Sequence, residues 1–506
     1  MSKPLVLTCD IGTQSARALL VDPDGRIVDV VQSKYAEPYF SKEPGWAEQK
    51  PDFYFDRMCE CCRELCTRSN ALLPDVIAMT ITVIRDTVVC LDANNEPLRD
   101  IILWLDKRTV DPNGAMPAKN MMLFKVAGME PTAKVVYAAS VGNWIMRHEP
   151  EIWARTAKYV MLPTYLNYKL TGNLIDSASN QIGHIPFDYK NRRWMKPGSL
   201  TRCFCDVPNE KLCDLVPSGT VIGTVTDEVC ALTGIPAGLP LISTGSDKGC
   251  ETLGLAVVDS DKASISLGTT ATIQFSTTEY VEPQQFLPAY PGVLNDHYNP
   301  EIEIYRGLWL LSWFVKEFGT ADAIDANAKD MAPQDLLHEL LQPYWTAGIL
   351  HPDSLGAVIG FSDYHTRYHF YRAIIEGLCL ELYMALRIME DRSGLTIHEI
   401  RIGGGGAKSD VVCQIAADVF GLPVVRSQTH EACSIGSSMV AFVAKGVFAD
   451  FDAAAKAMVH VKDTFQPNER NHEVYNDIYE QAYRKIYPRL RPIYQKLIQV
   501  KRRIAQ

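Results

Sequence analysis

The chain begins with short apolar runs separated by turn residues. "LVLTCDI" and "SARALLV" flank a Gly-Thr-Gln turn, and an Asp-Gly pair at Asp24-Gly25 follows the second run. Apolar runs of this length bounded by glycine predict buried strands, and Asp-Gly favours a tight hairpin. A helical spacing from 53 to 69 and the apolar run "VIAMTITVI" come next. Strands that alternate with helices indicate an α/β fold.

The predicted helix at 53–69 contains a cluster of cysteines, "MCECCRELC". Helical spacing places Cys59, Cys62 and Cys66 on one face, and the segment has neither the paired C-x-x-C motifs nor the histidines that zinc sites use. Buried thiols are therefore preferred over a metal site. The 14 cysteines of the chain lie mostly in apolar segments, which favours a reducing compartment.

The opening pattern returns in the middle of the chain. "KASISLGTTATIQFSTT", from Lys262, is again an apolar strand, a Gly-Thr turn and a returning strand. This internal repeat predicts two domains of the same type, which we place at residues 1–255 and 256–506. Only the first copy has an acid, Asp10, before its turn. The two halves are therefore not expected to be chemically equivalent.

The second half continues with a long helical pattern, "FYRAIIEGLCLELYMALRIMEDRSG", inside which Gly377 indicates close packing. "IHEIRIGGGGAKSDVVCQIAADVFGLPV" then predicts a strand, a glycine loop and an amphipathic helix. The segment from Val474 to the C-terminus is helical in pattern. We expect Pro488 and Pro492 to break it, because proline removes a helical hydrogen bond.

Composition narrows the function classes. The chain has 506 residues, 47% of them hydrophobic, which is globular and too long for a single core. Its net charge of -10 disfavours nucleic acid as a partner. No apolar run approaches the roughly 20 residues of a membrane helix, and the N-terminus lacks a signal-peptide pattern. We expect a soluble cytoplasmic protein with no membrane or nucleic-acid partner.

The first hairpin, from Asp10 to Arg17, is the first candidate site. Aspartate and glycine are common where a chain reverses, so turn chemistry alone could explain it. The functional alternative is that the backbone N–H groups of Gly12, Thr13 and Gln14 bind a phosphate while Asp10 faces a magnesium ion or its water shell. The repeat favours this alternative, because two such hairpins facing each other could hold both ends of a polyphosphate.

The glycine run "GGGGAKSD" fits neither common nucleotide motif. A Walker P-loop needs glycine where Ile402 stands and also where Ala407 stands. A dinucleotide-binding fingerprint would put Lys408 or Ser409 in its last glycine position, so a dehydrogenase rests on weak support. What remains is a glycine loop before a helix, against which a nucleotide base or sugar can lie.

Three further segments have polar residues at predicted strand ends or loops. Asp247 in "STGSDKGCE" is interpreted as a helix N-cap or as a general base at the carboxyl end of a strand, and the two roles are compatible. Arg85 and Asp86 follow a strand, and Trp46 lies in the polar loop "PGWAEQKP". Each is more often structural when considered singly. Together they suit a small hydroxylated ligand.

The chain resembles the FGGY carbohydrate kinases, which include glycerol kinase, xylulokinase and ribulokinase, from Leu5 to the C-terminal helices. The resemblance rests on the order and spacing of these segments: "DIGTQSAR", "GWAEQ", "LWLDKR", "YLNYKLTG", "GSDKG", "SLGTT", "HTRYHFYRAIIEG", "GGGAKSDVVCQIAADVFG" and "EACSIGSS". It implies an α/β fold with two ribonuclease-H-like domains of the actin and sugar-kinase superfamily flanking an ATP cleft.

The resemblance also implies roles for individual residues. Asp247 would be the catalytic base, Asp10 would lie near Mg²⁺, and Trp46, Arg85, Asp86 and Trp104 would lie on the sugar side with Asp247. The residues implied at ATP are Gly12, Thr13, Gln14 and Arg17 on the first hairpin, Gly268 and Thr269 on the second, and Gly405, Gly406 and Ala407 in the glycine loop.

The sequence therefore predicts an ATP- and Mg²⁺-dependent kinase that phosphorylates a hydroxyl of a small sugar or polyol. A ketopentose such as xylulose is the first choice, because Trp46 and Trp104 could cover a chain longer than three carbons. The Arg85-Asp86 pair resembles the Arg-Glu of glycerol kinases, so glycerol or a tetritol is the alternative. Val141 and Gly142 stand where the family often has a lysine. An actin- or chaperone-like ATPase switch is the alternative from another class, and a homodimer stays open.

Overall fold

The computed structural model describes residues 3–285, 287–318, 340–347 and 351–504, without the side chains of 502 and 504. Contacts divide the chain into two units. The first contains Met1–Gly254, Tyr290–Tyr298 and Cys433–Val459, and the second contains Leu255–Ala289, Asn299–Ala432 and His460–Gln506. This division groups residues by contact, and the domain ranges 1–255 and 256–506 stay a prediction.

A six-stranded mixed sheet forms the centre of the first unit. Its strands are, from edge to edge, Val221–Thr224, Pro240–Ile242, Val76–Val83, Leu5–Ile11, Ser15–Val21 and Ile27–Lys34. Leu5–Ile11 runs parallel to Val76–Val83, which runs parallel to Pro240–Ile242. The predicted hairpin and the predicted strand after the first helix are confirmed. Every residue of Leu5–Ile11 is buried, which places Asp10 at the edge of a hydrophobic core.

Helices and shorter strands surround this sheet. The helices are Pro51–Arg68, Ala118–Val126, Glu130–Ala139, Val141–His148, Pro150–Arg155, Leu162–Thr171, Asp227–Thr233, Asp247–Gly254, Ala432–Ala444, which begins one residue before the unit, and Phe451–Met458. The shorter strands are Glu48–Gln49, Val88–Leu91, Ile101–Ile102, Lys158–Met161, Ile175–Ser177, Phe187–Asp188, Arg193–Trp194, Asp214–Val216, Tyr290–Pro291 and Tyr298–Asn299.

The predicted cysteine-rich helix is confirmed as Pro51–Arg68. Cys59, Cys62 and Cys66 are buried in it as free thiols, and the other cysteines of the chain, all within the described residues, are free as well. Burial raises the pKa of the Cys59 and Cys66 thiols to about 12. Thiols held in their protonated form by an apolar environment are poor metal ligands and poor nucleophiles.

A second six-stranded mixed sheet forms the centre of the second unit. Its strands are, from edge to edge, Glu301–Ile304, Ala271–Phe275, Lys262–Leu267, Glu399–Gly403, Val424–Ser427 and Val461–Phe465. Lys262–Leu267 pairs antiparallel with Ala271–Phe275 and parallel with Glu399–Gly403. The first strand of the chain has the same two kinds of neighbour, so the predicted repeat of the hairpin is confirmed at the level of strand pairing.

The second unit contains further helices and two short strands. They are the helices Trp309–Phe318, Arg367–Ser393, Asp410–Phe420, Glu469–Ile478 and Arg484–Ile504, and the short strands Leu340–Gln342 and Ala357–Ile359. Inside the long helix Arg367–Ser393, a Cβ on Gly377 would overlap the carbonyl of Leu341. The predicted close packing at Gly377 is therefore confirmed.

The expected break at the C-terminal prolines is wrong. Pro488 and Pro492 both lie inside the continuous helix Arg484–Ile504. Each proline removes only its own backbone donor, and contacts on the same helix compensate: Tyr487 stacks on His351 with ring centroids 3.9 Å apart, and Tyr494 Oη donates to Gln342 at 3.0 Å. Among the described residues, no helix combines the length and apolarity needed to cross a bilayer.

Candidate active site

Three parallel strands of the first unit end at the same edge of their sheet. Leu5–Ile11 leads into the Gly12 turn, Val76–Val83 into Arg85, and Pro240–Ile242 into the loop before Asp247. The carboxyl ends of parallel strands are where α/β sheets present their ligands. The predicted phosphate hairpin and the predicted sugar residues therefore follow neighbouring strands of one sheet.

Asp10 lies between two polar partners set by strand register. It is opposite Arg17 on the antiparallel side and beside Thr82 on the parallel side. Arg17 Nη1 donates to Asp10 Oδ2 at 3.0 Å, and Thr82 Oγ1 donates to Asp10 Oδ1 at 3.1 Å. The residue is 8% exposed, and these partners offset the cost of burying its charge.

The side chains around Asp10 suit a magnesium ion that is held mainly by water and phosphate oxygens. Among the described residues, no group of three or more His, Cys, Asp or Glu side chains is arranged to hold a metal. Mg²⁺ is commonly held by one or two carboxylates, with water and phosphate oxygens completing the octahedron. Asp10 can supply such a single carboxylate, so the residues present fit an ion that arrives with a nucleotide.

The first hairpin differs in one detail from the predicted phosphate cradle. The N–H of Gly12 donates to the carbonyl of Ser15 at 3.0 Å and closes the turn. The Gly12 N–H is therefore already used within the turn. A phosphate bound here would rely on the backbone N–H groups of Thr13 and Gln14. Trp104 also reaches this turn, since its Nε1 donates to Thr13 Oγ1 at 3.0 Å. The structure thus places Trp104, predicted on the sugar side, in contact with the hairpin.

Asp247 begins the helix Asp247–Gly254 but does not cap it. Ser246 takes that position, because its Oγ accepts from the N–H of Gly249 at 3.1 Å. The Asp247 Oδ1 atom accepts from the N–H of Lys248 at 2.8 Å and lies 3.5 Å from Arg85 Nε. The helix-cap interpretation of Asp247 is therefore wrong. Its carboxylate is left facing a cation at a strand end.

Lys248 adds a second positive charge beside Asp247. Its Nζ lies 2.9 Å from Glu251 Oε2, one turn along the helix. Burial alone would lower the pKa of the Lys248 ammonium, but the carboxylates of Glu251 and Asp247 together raise it above its ordinary value. Asp247 is thus bordered by two permanent cations, Arg85 and Lys248.

Arg85 and Asp86 have different partners although they are adjacent. The Arg85 guanidinium lies over the ring of Tyr290, 5.6 Å from its centroid. Asp86 has a φ of +46° and pairs with His184, whose Nδ1 is 2.7 Å from Asp86 Oδ2. Burial opposes a charge on Asp86, but the neighbouring His184 and Arg85 lower its pKa. Burial likewise opposes a charge on His184, but Asp86 raises the pKa of its imidazole.

Trp46 belongs to a packed ionic cluster. The Arg108 guanidinium lies 3.8 Å from the centroid of its ring, and Trp144 meets it edge-on with centroids 5.4 Å apart. Arg108 Nη1 and Arg99 Nη2 both lie within 3.0 Å of Glu48 Oε1, which is buried. These contacts hold Trp46 in place. The Arg108 guanidinium also occupies one face of the indole ring, which the sequence predicts to lie on the sugar side.

The second hairpin and the glycine loop meet within the second unit. Gly268 N donates to Thr270 O at 2.9 Å, two residues on, whereas Gly12 N in the first hairpin donates to Ser15 O, three residues on; Thr269 is exposed at the tip. A Cβ on Gly406 would lie 2.7 Å from Leu267 and Leu308 side chains, whereas a Cβ on Gly405 would meet nothing within 4 Å. The loop therefore packs on one side and is open at Gly405.

The residues predicted in this loop have unequal exposure. Gly405 is exposed, but Gly406 and Ala407 are buried, and the Ala407 carbonyl accepts from Arg426 Nη1 at 2.9 Å. The open space beside Gly405 thus leaves room for a nucleotide to contact the loop there. Gly406 and Ala407 are placed to support the loop from within.

Sequence reasoning missed three residues at the first-unit site: Ser246, Tyr290 and His184. His184 is 98 positions from Asp86, and nothing in its own segment indicates a ligand. Tyr290 belongs to a segment from the second half of the chain that lies in the first unit. Only a hydroxyl before the helix could have indicated Ser246, since serine is a preferred N-cap.

The chain is similar to known proteins in both sequence and structure. The sequence matches the model of the FGGY family of carbohydrate kinases, N-terminal domain, over residues 5–254, and that of the C-terminal domain over residues 263–445. Together these ranges cover most of the chain, and they begin at the strands that carry the two hairpins.

Curated relatives match over nearly their whole length. An uncharacterized sugar kinase of Escherichia coli, YgcE, is 27% identical over 489 residues, which are 94% of this chain and 92% of that protein. A xylulose kinase of Staphylococcus epidermidis is 27% identical over 496 residues, 94% of this chain and 95% of that protein. A glycerol kinase of Dechloromonas aromatica is 26% identical over 491 residues, 92% and 94% respectively.

A solved structure shows the same fold. Ligand-bound xylulose kinase from Lactobacillus acidophilus superposes with a TM-score of 0.83 at 21% identity, covering 98% of this chain and all of that one. The predicted fold class is confirmed as a mixed α/β, two-domain fold like that of actin and the sugar kinases. The chain belongs to the FGGY family of carbohydrate kinases and is an ATP-dependent kinase of a small sugar or polyol.

Proposed function

We propose that this kinase phosphorylates a hydroxyl of a ketopentose such as xylulose, with Asp247 as general base and Mg²⁺ bound beside Asp10. The observation that carries the proposal is the Asp247 carboxylate, which caps no helix, follows a parallel strand and lies 3.5 Å from Arg85 Nε. A carboxylate in this position can accept the proton of a substrate hydroxyl.

The chemistry needs few parts. As Asp247 accepts the hydroxyl proton, the substrate oxygen bonds to the γ-phosphorus of ATP and ADP leaves. Arg85 Nε lies 3.5 Å from Asp247 Oδ1, and the Lys248 ammonium adds a second positive charge nearby. Magnesium supplies charge neutralisation at the phosphate oxygens when it is bound. Phosphoryl transfer depends mainly on such positioning and charge stabilisation.

Nucleotide-contacting residues are proposed in each unit by itself: on the first hairpin in the first unit, and on the second hairpin and the glycine loop in the second. On the first hairpin, Thr13, Gln14 and Arg17 would contact phosphate, with Gly12 closing the turn. The second hairpin would contribute Gly268 and Thr269. Adenosine would lie against the open face at Gly405, which Gly406 and Ala407 support.

The choice of a ketopentose rests on the number of polar groups in the first-unit site. Arg85, Asp247 and the Asp86–His184 pair offer hydrogen bonds to several substrate oxygens, which suits a polyhydroxylated sugar. A relative named xylulose kinase, aligned over nearly its whole length, supports the same class. Trp104 is proposed to border the sugar and the phosphate hairpin together, because it contacts Thr13.

Glycerol or a tetritol is the second candidate substrate. It is favoured by the adjacent opposite charges of Arg85 and Asp86 and by a relative named glycerol kinase. Against a direct Asp86 contact, both Asp86 oxygens already accept from His184, one from its backbone N–H at 2.9 Å and one from its ring.

An ADP-coupled assay of the purified protein tests the proposal. ATP and Mg²⁺ are supplied with pentuloses, hexuloses, aldonates, glycerol and tetritols, and kcat/KM is compared. We expect a pentulose to give the highest value. A higher kcat/KM for glycerol or erythritol than for every pentulose overturns the ketopentose and supports the second candidate. ADP release stimulated by added protein and by no sugar would instead support an ATPase switch.

A further inference from the structure

The segment from Ile182 to His184 is fixed to the Arg85-Asp86 turn by three hydrogen bonds, two of which His184 makes. The N–H of Asp86 donates to Ile182 O at 3.0 Å, and the N–H of His184 donates to Asp86 Oδ1 at 2.9 Å. The ring Nδ1 lies 2.7 Å from Asp86 Oδ2. Gly183, between them, has a φ of +154°, and a Cβ there would overlap the Asp86 carboxylate. The segment is therefore built against Asp86.

This arrangement determines which ring atom is left for a ligand. A carboxylate only accepts, so Nδ1 carries the proton that the pair shares. The other nitrogen, Nε2, makes no hydrogen bond to any described residue, and the side chain is 34% exposed. An imidazole whose Nδ1 is held by a carboxylate is the usual way in which proteins orient Nε2 toward a reacting or binding partner.

The surroundings of His184 are those of a sugar site. Beside Asp86, Arg85 lies within 3.5 Å of Asp247 and over the ring of Tyr290. Tyr189 meets Tyr290 edge-on at 5.7 Å, and its hydroxyl donates to Gly183 O at 2.9 Å. Charged groups beside aromatic faces suit a polyhydroxylated ligand, whose hydroxyls and C–H faces need both. All of these residues belong to the first unit.

We propose that His184 is a specificity residue of this kinase, whose Nε2 hydrogen-bonds a substrate oxygen other than the one phosphorylated. Asp86 is its positioning residue and acts through the imidazole. The proposal rests on the proposed sugar site but not on the identity of the sugar. A kinase that contacts one substrate oxygen through a fixed imidazole rejects analogues that lack this oxygen, because the imidazole is then left without its partner.

Asp86 contacts the imidazole directly, Arg85 precedes Asp86 in the chain, and the hydroxyl of Tyr189 bonds Gly183, the residue before His184. The Asp86 carboxylate favours a protonated ring, while the Arg85 guanidinium is paired with Asp247 at 3.5 Å. In its protonated state, Nε2 donates to a hydroxyl or a ketone oxygen. In its neutral state, Nε2 can only accept from a hydroxyl.

The test measures kcat/KM for the best substrate found in the assay panel and for its analogues that each lack one oxygen. Wild-type enzyme should discriminate against the analogue without the contacted oxygen by about 10²-fold or more. His184→Ala should lose most of this discrimination for that one analogue, keep it for the others, and leave the KM for ATP within a factor of two or so. His297→Gln is the matched control, because His297 Nδ1 also pairs with an aspartate at 2.7 Å.

Two further variants separate recognition from folding. His184→Gln retains a donor for Asp86 and should keep the thermal stability closer to wild type while it loses the same discrimination. Asp86→Asn should lower kcat/KM through KM and alter its pH profile, whereas a purely structural residue would change the amount of folded enzyme alone. An equal loss for every analogue in both His184 variants, or an unchanged discrimination, overturns the proposal.

These outcomes are distinct from a failure of the proposed function. If glycerol or a tetritol is the best substrate, the ketopentose is wrong, and the analogue series of that polyol still tests His184. If Asp247→Asn keeps full activity while His184→Ala loses its discrimination, the base is misassigned and the specificity residue stands.

Discussion

Thr82 Oγ1 donates a hydrogen bond of 3.1 Å to Asp10 Oδ1, across the two neighbouring parallel strands that place these residues side by side. Thr82 is 1% exposed and also accepts from the thiol of Cys433 at 3.2 Å. The threonine is thus fixed from both sides. It determines how the Asp10 carboxylate is turned at the start of the first hairpin.

Asp10→Asn should raise the Mg²⁺ concentration needed for half-maximal activity by about tenfold or more, because the amide keeps the shape of the side chain without its charge. Thr82→Val should give a smaller loss, since Asp10 keeps its charge and loses one fixed partner. Titration of activity with Mg²⁺ at saturating ATP measures both. Thr80→Val, two residues earlier on the same strand and equally buried, is the control. Wild-type Mg²⁺ dependence in Asp10→Asn contradicts the proposed metal position.

Asp247→Asn should lower kcat by about 10²-fold or more while changing the KM values for sugar and ATP only a few-fold, as expected when a general base is lost. Asp227→Asn is a matched control, because Asp227 also begins a helix directly after a hydroxyl cap, Thr226. Steady-state kinetics of both variants decide the point. Equal, small effects at the two positions would mean that Asp247 is only a charge at a helix end and is not the general base.

The glycine loop gives opposite expectations for neighbouring residues. Gly405→Val should raise the KM for ATP with little effect on the free energy of unfolding, because its side chain enters open space. Gly406→Ala should destabilise the fold by about 1–3 kcal/mol, because its Cβ meets Leu267 and Leu308. Denaturant unfolding and ATP kinetics measure the two effects. A reversed pattern would contradict the proposal that the nucleotide lies against the open face at Gly405.

Much of the fold could be predicted because it depends on local patterns. Apolar runs and Gly-Thr turns predict both hairpins. The positions of Arg85 and Asp247 after predicted strands indicate them as site candidates. Strand register within 80 residues then explains why Asp10 lies beside Thr82. These relationships follow from neighbouring segments, which hydrophobic periodicity describes well.

The rest depends on side chains that meet only in the folded chain. His184 lies 98 residues from Asp86, and Arg108 covers the Trp46 ring from 62 positions away. No spacing rule indicates either contact. The prolines of the last helix show the reverse case, in which a local rule predicts a break that does not occur. Proline does destabilise a helix, but the tertiary contacts of Tyr487 and Tyr494 outweigh this loss.

The Asp86–His184 pair predicts a defined pH dependence of stability. Asp86 raises the pKa of His184, so the imidazole's stabilising charge is fully present below its unfolded pKa of about 6.5 and is lost as pH rises through the higher folded value. His184 lowers the pKa of Asp86, so the carboxylate's contribution is present above about pH 4 and is lost as pH falls through the lower folded value.

The pair should therefore stabilise the fold most between about pH 4 and 6.5, and less as the medium becomes alkaline. Because the side chains are partly exposed, the difference in free energy of unfolding between wild type and His184→Gln should be about 1 kcal/mol at pH 6 and smaller at pH 9. Urea unfolding at several pH values measures it. In an Asp86→Asn background only burial acts on the imidazole and lowers its pKa, so the pH trend should reverse, with the stabilisation by His184 falling as the pH drops. A wild-type difference that stays constant from about pH 5 to 9 would mean that His184 does not carry a proton in this pair.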